Sequence, residues 1–183
     1  MKIRTFLAFE LPQTVRNKLS VHAELISGHD KLQQIRWIPK GNYHLTLVFL
    51  GNLENFLISS LQLKLEQNLS YNKAVPFRFS GITTFPFSGT PKIAAAMLEH
   101  SDALMQLQHN TAKCVRAFGV SLEHRRFTPH VTLGRLKSRS RKSIVFQPQQ
   151  IFLEGVSEKV VIFQSEFATK GAVYTSLGNI SLM

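Results

Sequence analysis

The residues best suited to chemistry form a tetrad that occurs twice, His44-Leu45-Thr46-Leu47 and His130-Val131-Thr132-Leu133. Both copies sit among apolar, β-favouring neighbours and alternate strictly, so each reads as a strand. Successive strand side chains point to opposite faces, which puts His44 and Thr46 on one face and Leu45 and Leu47 on the other. The second copy separates His130 and Thr132 from Val131 and Leu133 in the same way. Each tetrad therefore carries an imidazole and a hydroxyl roughly 6–7 Å apart along the strand. Two such pairs facing each other would supply a general acid, a general base and two neutral hydrogen-bond donors. Histidine suits both proton-transfer roles, because its ordinary pKa of about 6.5 leaves both forms available near neutrality. The inventory fits hydrolysis of a phosphodiester without a metal.

A single His-x-Thr in a strand is most often a half-buried histidine beside a β-branched neighbour. Two copies with the same apolar fourth residue are harder to dismiss. With this chain's Thr and Leu usage, a chance pair has odds of roughly one in a thousand. The repeat is the signal.

The elements that must position these residues follow from periodicity and punctuation. Residues 3–9 read as a buried strand, and Pro12 opens a helix whose apolar positions Val15, Leu19 and Ile26 run up to Gly28. A short strand at 36–38 and a turn at 39–42 lead into the first tetrad strand, 43–49. Leu57, Leu61 and Leu65 mark a helix over 54–68, followed by strands at 77–85 and 93–98 around the turn at Ser88 to Pro91. Ser101 caps a helix carrying Leu104, Leu107, Val115 and Phe118, and Gly119 is placed to end it. The second tetrad strand follows. Later strands are expected at 150–154, 159–166 and 173–177, with Lys170-Gly171 as a hairpin turn. Helix then tetrad strand in both halves predicts an α+β fold of two lobes related by an approximate twofold. Their antiparallel-rich sheets would line a central cleft, with the helices outside.

Composition bounds the partners. The 183 residues suffice for one domain, 1–183, with two lobes sharing a cleft. With 44% hydrophobic and 18% charged residues, the chain is neither disordered nor a coiled coil. Lys and Arg outnumber Asp and Glu by 22 to 11, a net charge of +11 that favours polyanions. A single cysteine, Cys114, allows no internal disulfide and fits a reducing compartment. Its place in a helical stretch suggests a small core residue. The apolar run after Lys2 and Arg4 is closed by Glu10 and Pro12, too soon for a signal peptide, and no stretch has the length of a membrane span. A soluble, cytoplasmic monomer is expected. Neither tetrad has a nearby Cys, Asp or Glu to complete a zinc site, and no phosphate-binding glycine loop is present, so no metal and no cofactor are expected.

The flanks of the tetrads add a family resemblance. Arg36-Trp37-Ile38-Pro39 leads into Tyr43 and the first tetrad, which continues Val48-Phe49-Leu50-Gly51; Arg126-Phe127-Thr128-Pro129 leads into the second, which continues Gly134-Arg135. The chain resembles the two-histidine (2H) phosphoesterase superfamily and, within it, the RNA 2′,3′-cyclic phosphodiesterases once named 2′-5′ RNA ligases. The likeness spans essentially the whole chain, including the opening Arg4 to Pro12, the Gly81 to Pro86 stretch and the closing Ser165 to Leu177 hairpin. One departure is Ala94-Ala95-Ala96, where that family commonly carries a bulkier residue such as Trp; it concerns the wall of the substrate site. The resemblance implies the same two-lobed architecture and a substrate of RNA with 2′,3′-cyclic phosphate ends, or cyclic nucleotides. It implies His44 as the proton donor to the leaving 3′ oxygen, His130 as the proton acceptor that activates water, and a 2′-phosphate product. Thr46 and Thr132 would contact the non-bridging oxygens.

Arg135 and Phe49 each lie five residues beyond a tetrad histidine, on the opposite face of a regular strand. A bulge at Gly134 would return Arg135 to the cleft. The resemblance implies a phosphate or nucleotide contact for Arg135 and a base-stacking role for Phe49; a surface arginine and a core phenylalanine are the plain alternatives. Surface or capping places suit His22, His29, His100, His109 and His124. The basic run Arg135, Lys137, Arg139, Arg141 and Lys142 reads as a solvated loop or an RNA-backbone contact. Two other functions compete: 2′-5′ ligation at the same site, and a non-catalytic RNA- or nucleotide-binding module.

Overall fold

The computed structural model describes residues 1–123, 126–137, 146–169 and 171–183. Within these lie β1 (Lys2–Phe9), α1 (Gln13–His29), β2 (Ile35–Trp37), β3 (Leu45–Glu54), α2 (Ile58–Leu69), β4 (Val75–Phe85) and β5 (Ile93–Leu98). They continue through α3 (Asp102–Ala117), β6 (His130–Leu136), β7 (Glu154–Ser157), β8 (Lys159–Ala168) and β9 (Gly171–Ser181). The strands run antiparallel in the order β7-β4-β5-β6-β3-β1-β8-β9, with β2 paired to β6. This is an α+β fold whose two halves, β9-β8-β1-β3 and β6-β5-β4-β7, meet where β3 pairs β6 at the single couple Leu45–Val131.

The helices form because their apolar residues recur on one stripe. Val15, Leu19, Ala23 and Ile26 bury the stripe of α1, and Ile58, Leu61, Leu65 and Leu69 that of α2. Helix α3 starts at Ser101, whose hydroxyl accepts from the Leu104 amide at 3.4 Å, and is followed by Gly119 at φ +95°. That φ is one a β-carbon disfavours, so the predicted glycine stop has a conformational cause. Leu104, Leu107 and Val115 of α3 join Leu45, Leu47, Val131 and Leu133 in one hydrophobic cluster. The apolar sides of both tetrads are thus the floor of the main core. Cys114 belongs to the same cluster, as expected of a small core residue.

Some element bounds differ from those expected, among them the helix expected over 54–68, which starts at Ile58 because β3 runs to Glu54. The late strand predicted at 150–154 lies further on, at Glu154–Ser157; before it, only Gln149 makes an isolated bridge to Ile82. The first tetrad strand starts at Leu45 and continues to Glu54, past Gly51, because β1 pairs with it along that whole length. Lys170 of the predicted hairpin turn lies outside the described residues, although β8 and β9 pair from Ala168–Gly171 onward. No helix among the described residues is long and apolar enough to cross a membrane.

Candidate active site

The antiparallel couple Leu45–Val131 fixes how the tetrads meet. Extending that register by one residue each way sets His44 against Thr132 and Thr46 against His130. The local twofold therefore passes between Leu45 and Val131. Those two are fully buried, whereas His44, Thr46, His130 and Thr132 are all half-buried on the opposite face. The four predicted residues are brought together.

Each imidazole is held from behind. His44 Nδ1 lies 2.7 Å from the Asn42 carbonyl and His130 Nδ1 2.8 Å from that of Thr128. A carbonyl only accepts, so both Nδ1 atoms carry the proton and both Nε2 atoms are left for the cleft. In neutral His44 the Nε2 accepts from the Thr46 hydroxyl at 3.0 Å. The loop bearing Asn42 is pinned in turn, since its side chain donates to the Ala172 carbonyl of β9 at 2.8 Å.

The two histidines have different walls. Around His44 stand Phe6 at 4.8 Å, Tyr174 at 5.1 Å and Phe163 at 6.2 Å between ring centroids. His130 meets Phe85 at 5.0 Å. Burial against these rings denies an imidazolium its water, and it pulls the His44 pKa down to about 4 despite the Asn42 hydrogen bond. The positive charges of His130 and Arg135 push it the same way. His130 is lowered too, chiefly by burial.

Arg135 and Phe49 both reach the cleft face, and for the same reason. Ala8 pairs Thr46 while Leu7 pairs Val48, so Leu47 is an extra residue in β3. Ala95 pairs Thr132 while Ala94 pairs Gly134, so Leu133 is an extra residue in β6. A bulge at the last tetrad residue flips the alternation, and burial repeats identically over Leu45 to Leu50 and Val131 to Leu136. Phe49 and Arg135 are the matching exposed residues. Phe49 is 64% exposed, which removes the core alternative, and its ring lies 6.2 Å from that of Phe6. The bulge expected near Gly134 is centred on Leu133. Gly134 serves another purpose: a β-carbon there would press on Ile35, on Trp37 and on the Arg36 carbonyl at 3.3 Å, so glycine lets β2 lie against β6.

Sequence reasoning missed the ring walls and one arginine. Arg36 stands directly opposite Arg135 across β2 and β6, hence on the same face, and among the described residues neither has an acidic partner. Arg36 also lines a 470 Å³ recess with Lys31, Trp37 and Lys137. The sequence signal was the Arg36-Trp37 dipeptide ahead of the tetrad. Phe6, Phe163 and Tyr174 carry no such local signal, because they come from β1, β8 and β9, strands far apart in sequence.

The other histidines fall outside the cleft where they are described. His29 donates to the Leu25 carbonyl at 2.8 Å, His100 sits 3.7 Å from the Asp102 carboxylate, His109 is exposed, and His22 is half-buried on α1. His124 lies outside the described residues, as do Arg139, Arg141 and Lys142 of the basic run. Among the described residues no three His, Cys, Asp or Glu side chains gather as a metal-binding group.

The chain is similar to known proteins over most of its length. The model of the 2′-5′ RNA ligase superfamily matches residues 21–148. The RNA 2′,3′-cyclic phosphodiesterase of Thermus thermophilus is 31% identical over 190 residues, covering 98% of this chain and 90% of that protein. That of Thermotoga maritima is 28% identical over 185 residues, covering 96% and 93%. Among solved structures, one from Thermus thermophilus superimposes with a TM-score of 0.83 at 26% identity, covering 98% of this chain and 97% of the other. E. coli LigT complexed with 3′-AMP gives 0.81 at 21% identity, covering 100% and 99%, a likeness of fold.

Proposed function

The chain belongs to the 2′-5′ RNA ligase superfamily, and from that we propose that it hydrolyses RNA 2′,3′-cyclic phosphate ends to 2′-phosphates by metal-independent acid–base catalysis. One observation carries the reading. Two tetrads antiparallel about Leu45–Val131 set both histidines and both threonines half-buried on one face of the joined strands, with Nδ1 of each imidazole held by a backbone carbonyl. The relatives named RNA 2′,3′-cyclic phosphodiesterase support the substrate.

His130 takes a proton from water as its oxygen attacks phosphorus. His44 gives one to the departing 3′ oxygen, leaving the phosphate on the 2′ oxygen. The threonine hydroxyls and the Arg135 guanidinium hold the non-bridging oxygens, and Phe49 stacks on the base. His44 is neutral in the free protein, with its Nε2 occupied by the Thr46 hydroxyl. The anionic phosphodiester supplies the charge that raises its pKa. Protonation of His44 then frees the Thr46 hydroxyl to turn to phosphate. Substrate thus loads the acid.

All these groups come from residues 1–183 acting as one domain, which supports a monomer, and RNA ends together with a lone buried Cys114 support a cytoplasmic setting. The test is incubation with adenosine 2′,3′-cyclic phosphate in excess EDTA, followed by product separation. 2′-AMP is expected. Binding without turnover would indicate a module, 3′-AMP would reverse the leaving oxygen, and loss of activity in EDTA would indicate a metal.

A further inference from the structure

An exposed ring leads by ring contacts to each tetrad histidine, and only one of them is used by the mechanism above. Among the described residues the exposed phenylalanines are Phe49, Phe56, Phe87, Phe152 and Phe167. Two of them lead by ring contact to a tetrad histidine. Phe49 does so through Phe6, at 6.2 and then 4.8 Å from His44. Phe87, 71% exposed beyond the end of β4, does so through Phe85, at 5.4 and then 5.0 Å from His130. Phe167 instead lies under the Arg4 guanidinium.

In-line displacement at phosphorus places the attacking and leaving oxygens on opposite sides. The nucleoside whose 3′ oxygen leaves must lie on the side of the acid, His44, where Phe49 stands. Whatever attacks must lie on the side of the base, His130. We propose that Phe85 and Phe87 form an acceptor subsite, where the base of a second, 5′-hydroxyl nucleoside or RNA end stacks on Phe87 and attacks in place of water. This rests on the phosphodiesterase reading and extends it to the choice between hydrolysis and transfer. The step balances: the acceptor 5′ oxygen bonds to phosphorus as its proton passes to His130. The P–O3′ bond breaks as the 3′ oxygen takes the proton of His44. A 2′-5′ phosphodiester results with no co-reactant consumed.

The experiment follows adenosine 2′,3′-cyclic phosphate with the full chain, with and without adenosine as acceptor, and with methanol as an acceptor that has no base. Wild type, Phe87→Ala and Phe87→Trp are compared. Phe87→Ala should lower transfer to adenosine by about tenfold, the usual effect of losing one stacking platform. Hydrolysis and transfer to methanol should change less than about twofold, and Phe87→Trp should keep transfer to adenosine. The proposal is overturned if wild type hydrolyses the substrate yet never transfers to adenosine, or if Phe87→Ala lowers adenosine and methanol transfer alike. A raised KM for hydrolysis in Phe87→Ala would overturn it too, by placing the cyclic nucleotide on Phe87. Absence of hydrolysis by wild type would instead sink the phosphodiesterase reading itself.

Discussion

Acid should destabilise this protein through His44, by an amount that can be worked out. Its imidazole, ordinarily near 6.5, is held down to about 4, first by burial against Phe6, Phe163 and Tyr174 and then by the charges of His130 and Arg135. The unfolded chain takes up this proton as pH falls through about 6.5, while the folded chain resists until about 4. In that window the unfolded state binds more protons, so stability is complete above it and is lost as pH drops. The whole window is worth up to about 3 kcal/mol, and about 2 kcal/mol of that is gone by about pH 4.5. Against a total of about 5–15 kcal/mol this is a large fraction. Urea denaturation near pH 7 and near pH 4.5 reads it, comparing wild type with His44→Gln, which removes the titrating group. Wild type should lose about 2 kcal/mol more than the variant over that interval. His130, also lowered, remains in both, so its own burial cost cancels. Parallel losses within about 0.5 kcal/mol would refute the view that the aromatic wall keeps His44 neutral.

Three further outcomes follow from the site. Arg135→Ala should raise KM for a cyclic nucleotide by about tenfold, with a smaller effect on kcat, as expected when a charged contact to phosphate is lost; an unchanged KM would return Arg135 to the ordinary surface. Thr46→Val keeps the shape but removes the hydroxyl on His44 Nε2, and turnover should fall by about tenfold or more; full activity would show that this contact plays no part. Gly134→Ala should cost about 1–3 kcal/mol by forcing β2 off β6, read as a lowered urea midpoint, and an unchanged midpoint would show that the strands can part without cost.

Much of this was legible in the sequence, because the relevant signals are local. Alternation in the tetrads fixed which faces carry imidazole and hydroxyl, and Ser101 and Gly119 marked the ends of α3. Regular alternation points Phe49 to the opposite face, because the bulge at Leu47 has no local signal. Bulges at Leu47 and Leu133 arise from cross-strand pairing with β1 and β5, partners separated from them in sequence. The walls of Phe6, Phe85, Phe163 and Tyr174 come from four strands brought together by topology, which no window of sequence contains. The place of β7 is hidden from the sequence for a similar reason. Its extent is set by pairing with Val75 to Arg78, not by the apolar residues Ile151, Phe152 and Leu153 before it.

The most direct test of two-histidine catalysis is turnover of adenosine 2′,3′-cyclic phosphate in EDTA by His44→Ala, His130→Ala and the double variant, each shown to be folded. Each single change should lower kcat by about 100-fold or more, and the double should be little worse than either, because acid and base act as one unit. A single variant that keeps a near-native rate would contradict the mechanism for that histidine.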